Sequence, residues 1–239
     1  MPGGGEVRVL DVGEGLAKPL RHWLIVSTVP ERAYGEAALE RGLQDLKWVG
    51  PRALAHEAVV EHFLSASAVL PMQLFTLFKG DARAVEHVVR DRRRIARILA
   101  RIGRHVEWGL RLIWNPPTAE GQTPAARAPI ARGKEPRSGA DYLARKRDLL
   151  NLTRTRLKRA RVDAGRLYRA VSREASTARR RTATEQAAPG SRLLLDAAFL
   201  VPAHRAGAFR AAVRRSARTL EGSGIVVSLT GPWPAYNFI

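Results

Sequence analysis

The residues that could do chemistry in this chain include one histidine and glutamate pair, and its spacing is wrong for a metal. His56 and Glu57 resemble the start of a zinc-protease helix, but that site needs a second histidine four residues on, where this chain has Val60. His62 is six residues after His56, which is about 240° around a helix. One metal cannot be reached from both rings, so we interpret His56 as a core or capping residue.

Two glycine-rich segments and one acidic residue are the other candidates. Gly3–Gly5 and Gly13–Gly15 lack the Lys and Ser or Thr that hold a phosphate and its magnesium. Asp196 interrupts an apolar run, and we expect it to be hydrogen-bonded, to face an edge, or to pair with one of the many arginines. The chain has no cysteine and no spacing of Ser, His and Asp typical of a nucleophile. We therefore predict no catalysis, no metal and no cofactor.

Composition indicates a globular chain with a strong positive charge. The 239 residues are 45% hydrophobic, and 41 Lys and Arg stand against 22 Asp and Glu, a net charge of +19. Such a charge favours contact with polyanions, acidic proteins or anionic membranes. The apolar runs are too short to span a bilayer, and the amino-terminal residues do not resemble a signal peptide. We expect a cytoplasmic protein that is not an integral membrane protein.

Hydrophobic periodicity places the first half of the chain in an α+β domain, residues 1–104. Gly50 and Pro51 are expected to end one helix before the next begins, and Pro71 to place its strand at an edge or a bulge. The predicted elements are strands 7–12 and 20–29, helices 31–48 and 52–66, a strand 69–78, and a helix 81–102.

The second half predicts a ferredoxin-like βαββαβ domain, residues 105–239, with a flexible loop over 115–138. The predicted elements are strands 107–114, 177–184, 193–201 and 225–229, a long helix from Gly139 that carries apolar residues at sevens, and a helix 204–220. Residues 137–181 hold fifteen Lys and Arg against four Asp and Glu, a net +11. Most of the charge therefore lies on and near the long helix.

The last nine residues, Gly231-Pro232-Trp233-Pro234-Ala235-Tyr236-Asn237-Phe238-Ile239, form a stiff aromatic tail. Two prolines remove backbone donors and fix two φ angles, so we expect a polyproline-like segment outside any strand interior. The aromatic side chains either fold back on their own domain and close its open edge, or face a partner.

This tail resembles the terminal signature of the gas vesicle protein GvpF/GvpL family, and a second set of residues extends the resemblance. A histidine-containing helix, a V-L-P strand, an E-W strand and a G-x-x-Y-L helix entry follow in the family's order. The chain departs from the family at Gln73–Phe75, where Arg-Phe-Gly is usual, and it begins after the family's first strand and helix. The matching residues, with structural or partner-binding roles, are His56, Leu70, Pro71, Thr76, Glu107, Trp108, Tyr142, Leu143, Gly231, Pro232, Trp233, Pro234, Tyr236 and Phe238.

The resemblance implies a non-enzymatic accessory protein of gas vesicle assembly, located in the cytoplasm and on gas vesicles. Its implied partners are the hydrophobic shell protein or its minor homologues, and other gas vesicle accessory proteins. The alternative is a nucleic-acid-binding module that uses the Arg-rich helix 140–181, because a ferredoxin-like sheet is also the architecture of RNA-recognition domains. The aromatic strand motif of those domains is missing.

Overall fold

The computed structural model describes residues 5–14, 21–116, 139–182 and 190–239. Helices and two β-sheets make up these residues, so the prediction of a mixed helix and sheet protein is confirmed. Contacts divide the chain into unit 1, Met1–Val106 with Trp233–Ile239, and unit 2, Glu107–Pro232. The domain limits 1–104 and 105–239 stay a prediction, and they differ from the two units in the placement of the tail.

Unit 1 begins with an antiparallel hairpin of β1, Val7–Glu14, and β2, Arg21–Ser27. Val7 pairs with Ser27 and Asp11 with Trp23, and the register shifts before Gly13, whose φ of +88° favours glycine. The inward residues of the hairpin pack on a helix, α4, Asp81–Arg90, around buried Leu24. The two predicted strands 7–12 and 20–29 are therefore present and form a hairpin, whose apolar face is part of a core.

Four more helices complete unit 1: α1, Glu31–Tyr34, α2, Glu36–Gly42, α3, Leu46–His62, and α5, Arg92–Ile102. The single predicted helix 31–48 is wrong, because extended backbone at Gly35 separates α1 from α2. The predicted break at Gly50 and Pro51 is wrong too, since α3 starts at Leu46, where Asp45 accepts a bond from the Lys47 amide, and continues through Pro51. The predicted helix 81–102 is interrupted at Asp91.

The predicted strand 69–78 is absent, and a turn takes its place. Phe75 has a φ of +65°, a left-handed conformation that no strand interior uses, and Pro71 lacks a ladder donor. Phe75 instead stacks on Trp48 at 5.3 Å and on Tyr34 at 6.4 Å between ring centroids, while the Arg52 guanidinium lies 3.9 Å from the Trp48 ring. This aromatic cluster holds the first turns of α3 against the segment after it.

Unit 2 contains most of a four-stranded sheet of β3, His105–Trp114, β4, Thr177–Arg180, β5, Arg192–Pro202, and β6, Ile225–Trp233. The strand order is β4-β5-β3-β6, with β4 antiparallel to β5 and Thr177 opposite Leu200. Helices α6, Gly139–Ser172, and α7, Ala206–Arg218, contact each other and β5. Their buried side chains form the core with the sheet, including Leu110, Leu112, Val171, Phe199, Leu200 and Phe209.

Three predicted segments of the second half differ from the described elements or extend beyond the described residues. The loop 115–138 and the end of the predicted strand 177–184 fall mainly or partly outside the described residues. Strand β6 runs to Trp233 and includes Pro232, so the expectation that the prolines exclude strand is wrong there. Since β6 is an outer strand of the sheet, a proline that lacks an amide donor is tolerated.

Candidate partner-binding site

An open groove in unit 1 brings together residues that lie far apart in the sequence. It has a volume of about 380 Å³. Helix α3, the segment after it, and the end of the tail each contribute to its walls. The lining residues are Ala53, His56, Glu57, Pro71, Met72, Gln73, Leu74, Tyr236 and Ile239. Three predicted site residues, His56, Pro71 and Tyr236, therefore share one site.

Helix α3 supplies one wall because its lining residues are three and four apart. Ala53, His56 and Glu57 lie on one face of the helix at this spacing. His56 and Glu57 are half-buried, whereas Leu54, one residue after Ala53, is 69% exposed and is not part of the lining. His56, interpreted as a core or capping residue, is thus half-buried and among the residues that line the groove.

The turn at Gln73–Thr76 supplies the second wall. The Thr76 amide and hydroxyl both donate to the Gln73 carbonyl, at 3.1 and 2.6 Å. Pro71 is buried, and Leu70 beside it is half-buried. Thr76 therefore does not face the groove as a lining residue; it closes the turn that presents Met72, Gln73 and Leu74.

The tail forms the third wall of the groove, and most of its packed residues are buried. Pro234, Ala235 and Phe238 are buried, and a short 3-10 helix, Tyr236–Phe238, is closed by a bond from the Phe238 amide to the Ala235 carbonyl. Arg101 of α5 donates to the Phe238 carbonyl. Tyr236 and Ile239 stay 36% and 41% exposed at the groove. The tail thus folds back, but within unit 1 and not on the second domain as predicted, and Tyr236 and Ile239 remain exposed. Contact of the tail with a partner stays a prediction.

Another group of predicted site residues lies where β3 and β6 are neighbours. Glu107 and Trp108 of β3 are buried, and Trp108 lies 6.0 Å from Phe209 between ring centroids. Gly231 of β6 has a φ of +120°, and a Cβ there would meet the Glu107 carbonyl oxygen at 2.7 Å. A structural role suits these residues, because Glu107 and Trp108 are buried and the backbones of β3 and β6 approach each other closely at Gly231.

The remaining predicted residues are not part of either group. Tyr142 and Leu143, near the start of α6, are 56% and 65% exposed. Pro232 is exposed and Trp233 is half-buried. Ala53, Met72, Leu74 and Ile239 line the groove but were not among the predicted site residues. Only the helical spacing from His56 to Ala53 could have indicated one of them, because the other walls depend on the turn and the tail.

The chemistry of the groove suits an apolar segment of another polypeptide. Aliphatic side chains and Pro71 make up much of the lining, and an imidazole, a carboxylate, an amide and a phenol stand among them. Within residues 5–14, 21–116, 139–182 and 190–239, no three His, Asp or Glu side chains are grouped as a metal site would need. Over those same ranges, no helix has the length and apolar character needed to cross a bilayer.

The fold is that of solved gas vesicle proteins. The crystal structure of gas vesicle protein GvpF from Anabaena sp. PCC7120 matches with a TM-score of 0.62 at 11% identity, over 99% of this chain and 98% of that one. The structure of GvpF from Microcystis aeruginosa matches with a TM-score of 0.56 at 13% identity, over 90% of this chain and 84% of that one. At these identities the likeness concerns the fold alone.

Sequence comparison gives the family. The family model described as gas vesicle synthesis protein GvpL/GvpF matches residues 3–239. Gas vesicle protein L from Streptomyces sp. (strain CB03234) is 34% identical over 229 residues, and the match covers 92% of this chain and 81% of that protein. The chain belongs to the GvpL/GvpF family of gas vesicle proteins, and the resemblance noted in its sequence is confirmed.

Proposed function

We propose that this protein is a non-enzymatic accessory protein of gas vesicle assembly that binds the hydrophobic shell protein, or a minor homologue of it, in the groove of unit 1. The observation that supports this function is the meeting of His56, Pro71 and Tyr236 in one open groove of a GvpL/GvpF protein. A protein that handles hydrophobic subunits has to cover apolar surface that would otherwise aggregate.

The groove has the size and lining for such a role. Its volume of about 380 Å³ lies in the range of roughly 300–1,000 Å³ that is usual for binding pockets. Met72, Leu74 and Ile239 provide apolar contact, and the polar groups of Gln73 and Tyr236 can fix the direction of a bound backbone. A short apolar segment fits this description better than a charged ligand.

We also propose a fold for unit 2 and a cellular location for the protein. We assign unit 2 a modified ferredoxin-like arrangement, supported by the strand order β4-β5-β3-β6 and by two helices that contact each other and β5. We place the protein in the cytoplasm and on gas vesicles, with the shell protein and other gas vesicle accessory proteins as its partners.

A pull-down with purified shell protein tests the groove. Ala53→Arg puts a long charged side chain on the groove wall, whereas Leu54→Arg puts the same side chain on the next, outward residue. We expect Ala53→Arg to weaken capture at least about tenfold and Leu54→Arg to leave it unchanged. Tyr236→Ala, at an exposed position of the tail, serves as a second groove variant that keeps the buried residues.

Folding has to be checked before the binding result is interpreted. Both Arg variants and Tyr236→Ala should keep the circular dichroism spectrum and the unfolding midpoint of the parent chain. If folded Ala53→Arg and folded Tyr236→Ala both capture shell protein as the parent does, the groove is not the binding site.

Nucleic-acid binding is the second candidate function, and the exposed basic residues of α6 favour it. The sheet argues against it, because Trp108, Trp114 and Phe199 are buried in the strands and cannot stack on bases. A filter-binding titration with single-stranded RNA separates the two. We expect binding that disappears at moderate salt, as for simple charge attraction, and tight binding that persists would favour the nucleic-acid module.

A further inference from the structure

Helix α6 has two halves with different surroundings. Ala160, Ala164, Leu167 and Val171 in its second half are buried, and the helix contacts α7 and β5. Every residue from 142 to 156 is exposed. At 1.5 Å per residue these fifteen residues are about 22 Å long. We call this part the first half of α6, and its exposure shows that none of the elements the structure describes covers it.

The exposed half carries large apolar side chains along one stripe. Leu143, Leu150 and Leu157 are seven residues apart, and Ala164 and Val171 continue the same series into the buried half. Tyr142 and Leu149 widen the stripe, and together with Leu143 and Leu150 they are 53–65% exposed. A single spaced stripe of leucines is typical of a helix that packs on another helix. We call Tyr142, Leu143, Leu149, Leu150 and Leu157 the leucine stripe.

Arginines border the leucine stripe. Arg147, Arg154 and Arg161 each follow one of the three leucines by four residues, just over one helical turn, so they lie beside the stripe. Residues 142–161 contain eight Lys or Arg and one acidic residue, Asp148. In the part of the chain that the structure describes, Arg147, Arg154 and Arg161 form no ion pair.

The basic side chains of α6 indicate which of three possible partners fits the leucine stripe: a second copy of the chain, a bilayer or an acidic helix. A second copy of the chain would bring one row of arginines against the other, and like charges beside a helix seam oppose pairing. Lys146 and Thr153 each lie three residues after a stripe leucine, near the middle of the stripe. If the leucine stripe entered a bilayer, these two polar side chains would lie deepest in the apolar layer, which is unfavourable. An acidic helix pairs with both the arginines and Lys146.

We propose that the first half of α6 binds an acidic amphipathic helix of a partner protein, with leucine packing along the leucine stripe and carboxylates beside Arg147, Arg154 and Arg161. Isolated helices of this length are marginal in water, so packing of the partner also stabilises this half of α6. The surface belongs to unit 2 and does not depend on the groove of unit 1.

A synthetic peptide of about three heptads, with Ile and Leu in the core positions and Glu beside them, tests the proposal on the full chain by fluorescence anisotropy. We expect the peptide to bind, and Leu143→Asn with Leu150→Asn to weaken binding at least about tenfold. Leu152→Asn is the matched control: Leu152 is 55% exposed against 53% for Leu150, but lies about 200° around the helix from it. It should leave the affinity within about threefold.

Charge exchange provides a second test that does not depend on the leucines. Arg147→Glu with Arg154→Glu should weaken binding of the Glu peptide and strengthen binding of a Lys version, relative to the parent chain. All these positions are exposed, so we expect every variant to keep the parent circular dichroism spectrum.

Four results would overturn the proposal. A scrambled peptide of the same composition could bind as tightly as the designed peptide, which would show that α6 attracts any polyanion. Leu152→Asn could match the loss of the double leucine variant. Binding to phosphatidylserine vesicles could depend on the leucine stripe while the peptide does not bind, which would identify a membrane site. A dimer in ultracentrifugation that disappears in the double leucine variant would identify a second copy as the occupant.

Discussion

At the scale of single residues, Asp196 is a buried carboxylate of unit 2, and two arginines compensate its charge. Its side chain is 5% exposed. Arg181 donates to its Oδ1 through Nε and Nη2 at 2.8 and 2.5 Å, and Arg111 donates to Oδ2 at 3.1 Å. The expected arginine pairing of Asp196 is therefore present, and the carboxylate links strands β3 and β5 with Arg181 after β4.

Asp196→Asn keeps the shape of the side chain and removes its charge. The two arginines would then lie near a neutral group, so we expect the free energy of unfolding to fall by about 2–3 kcal/mol. Urea denaturation followed by tryptophan fluorescence measures this. Asp163→Asn, which breaks the more exposed pair with Arg166 on α6, should change it by under about 0.5 kcal/mol. Equal losses in the two variants would contradict the structural role of Asp196.

Single residues also show what the sequence could not predict. That Asp196 pairs with an arginine follows from composition, but the choice of Arg111 and Arg181 depends on strand order. Phe75 has a φ of +65°, a backbone conformation that favours glycine. Stacking on Trp48 and Tyr34 offsets the strain of a phenylalanine there. No local pattern indicates that stacking.

At the scale of elements, segments with a strong apolar pattern were predictable, and segments whose conformation depends on tertiary contacts were not. Strand β5 and helix α7 lie within two residues of their expected limits at each end. The strand 69–78, the break at Pro51 and the single helix 31–48 are wrong because tertiary contacts decide these segments, namely the aromatic cluster around Trp48 and the turn closed by Thr76. Two walls of the groove depend on those same contacts.

Gly231→Ala tests the approach of β6 to β3. The substitution adds a Cβ 2.7 Å from the Glu107 carbonyl oxygen, at a φ of +120°, so we expect a loss of stability of about 2–3 kcal/mol. Gly222→Ala is the control, because its φ is +75° but nothing lies within 4 Å of the added carbon, and it should lose about 1 kcal/mol. Thermal unfolding midpoints compare the two, and a Gly231→Ala midpoint no lower than that of Gly222→Ala would show that the close approach is unimportant.

At the scale of the whole molecule, the tail belongs to unit 1 although it follows unit 2 in sequence. Sequence order alone assigned it to the second domain. The aromatic composition correctly indicated that it packs, as the 1% exposure of Phe238 shows. The bond from Arg101 of α5 to the Phe238 carbonyl could not be predicted, because 137 residues separate the two.

Phe238→Ala should therefore weaken unit 1 first. Removing a buried phenyl ring costs about 3–5 kcal/mol, and we expect faster amide hydrogen exchange in α5 with little change in β5. Ile239→Ala, one residue later and 41% exposed, should cost under about 1 kcal/mol. Exchange that rises in β5 as much as in α5 would contradict the assignment of the tail to unit 1.

Unit 1 consists of two separate parts of the chain, so the order of synthesis determines when it can be completed in the cell. Residues 107–232 are translated before Trp233–Ile239, so unit 1 stays incomplete until all of unit 2 has been synthesised. Until Trp233–Ile239 are made, the groove lacks Tyr236 and Ile239. The groove is therefore complete only after both units have been translated.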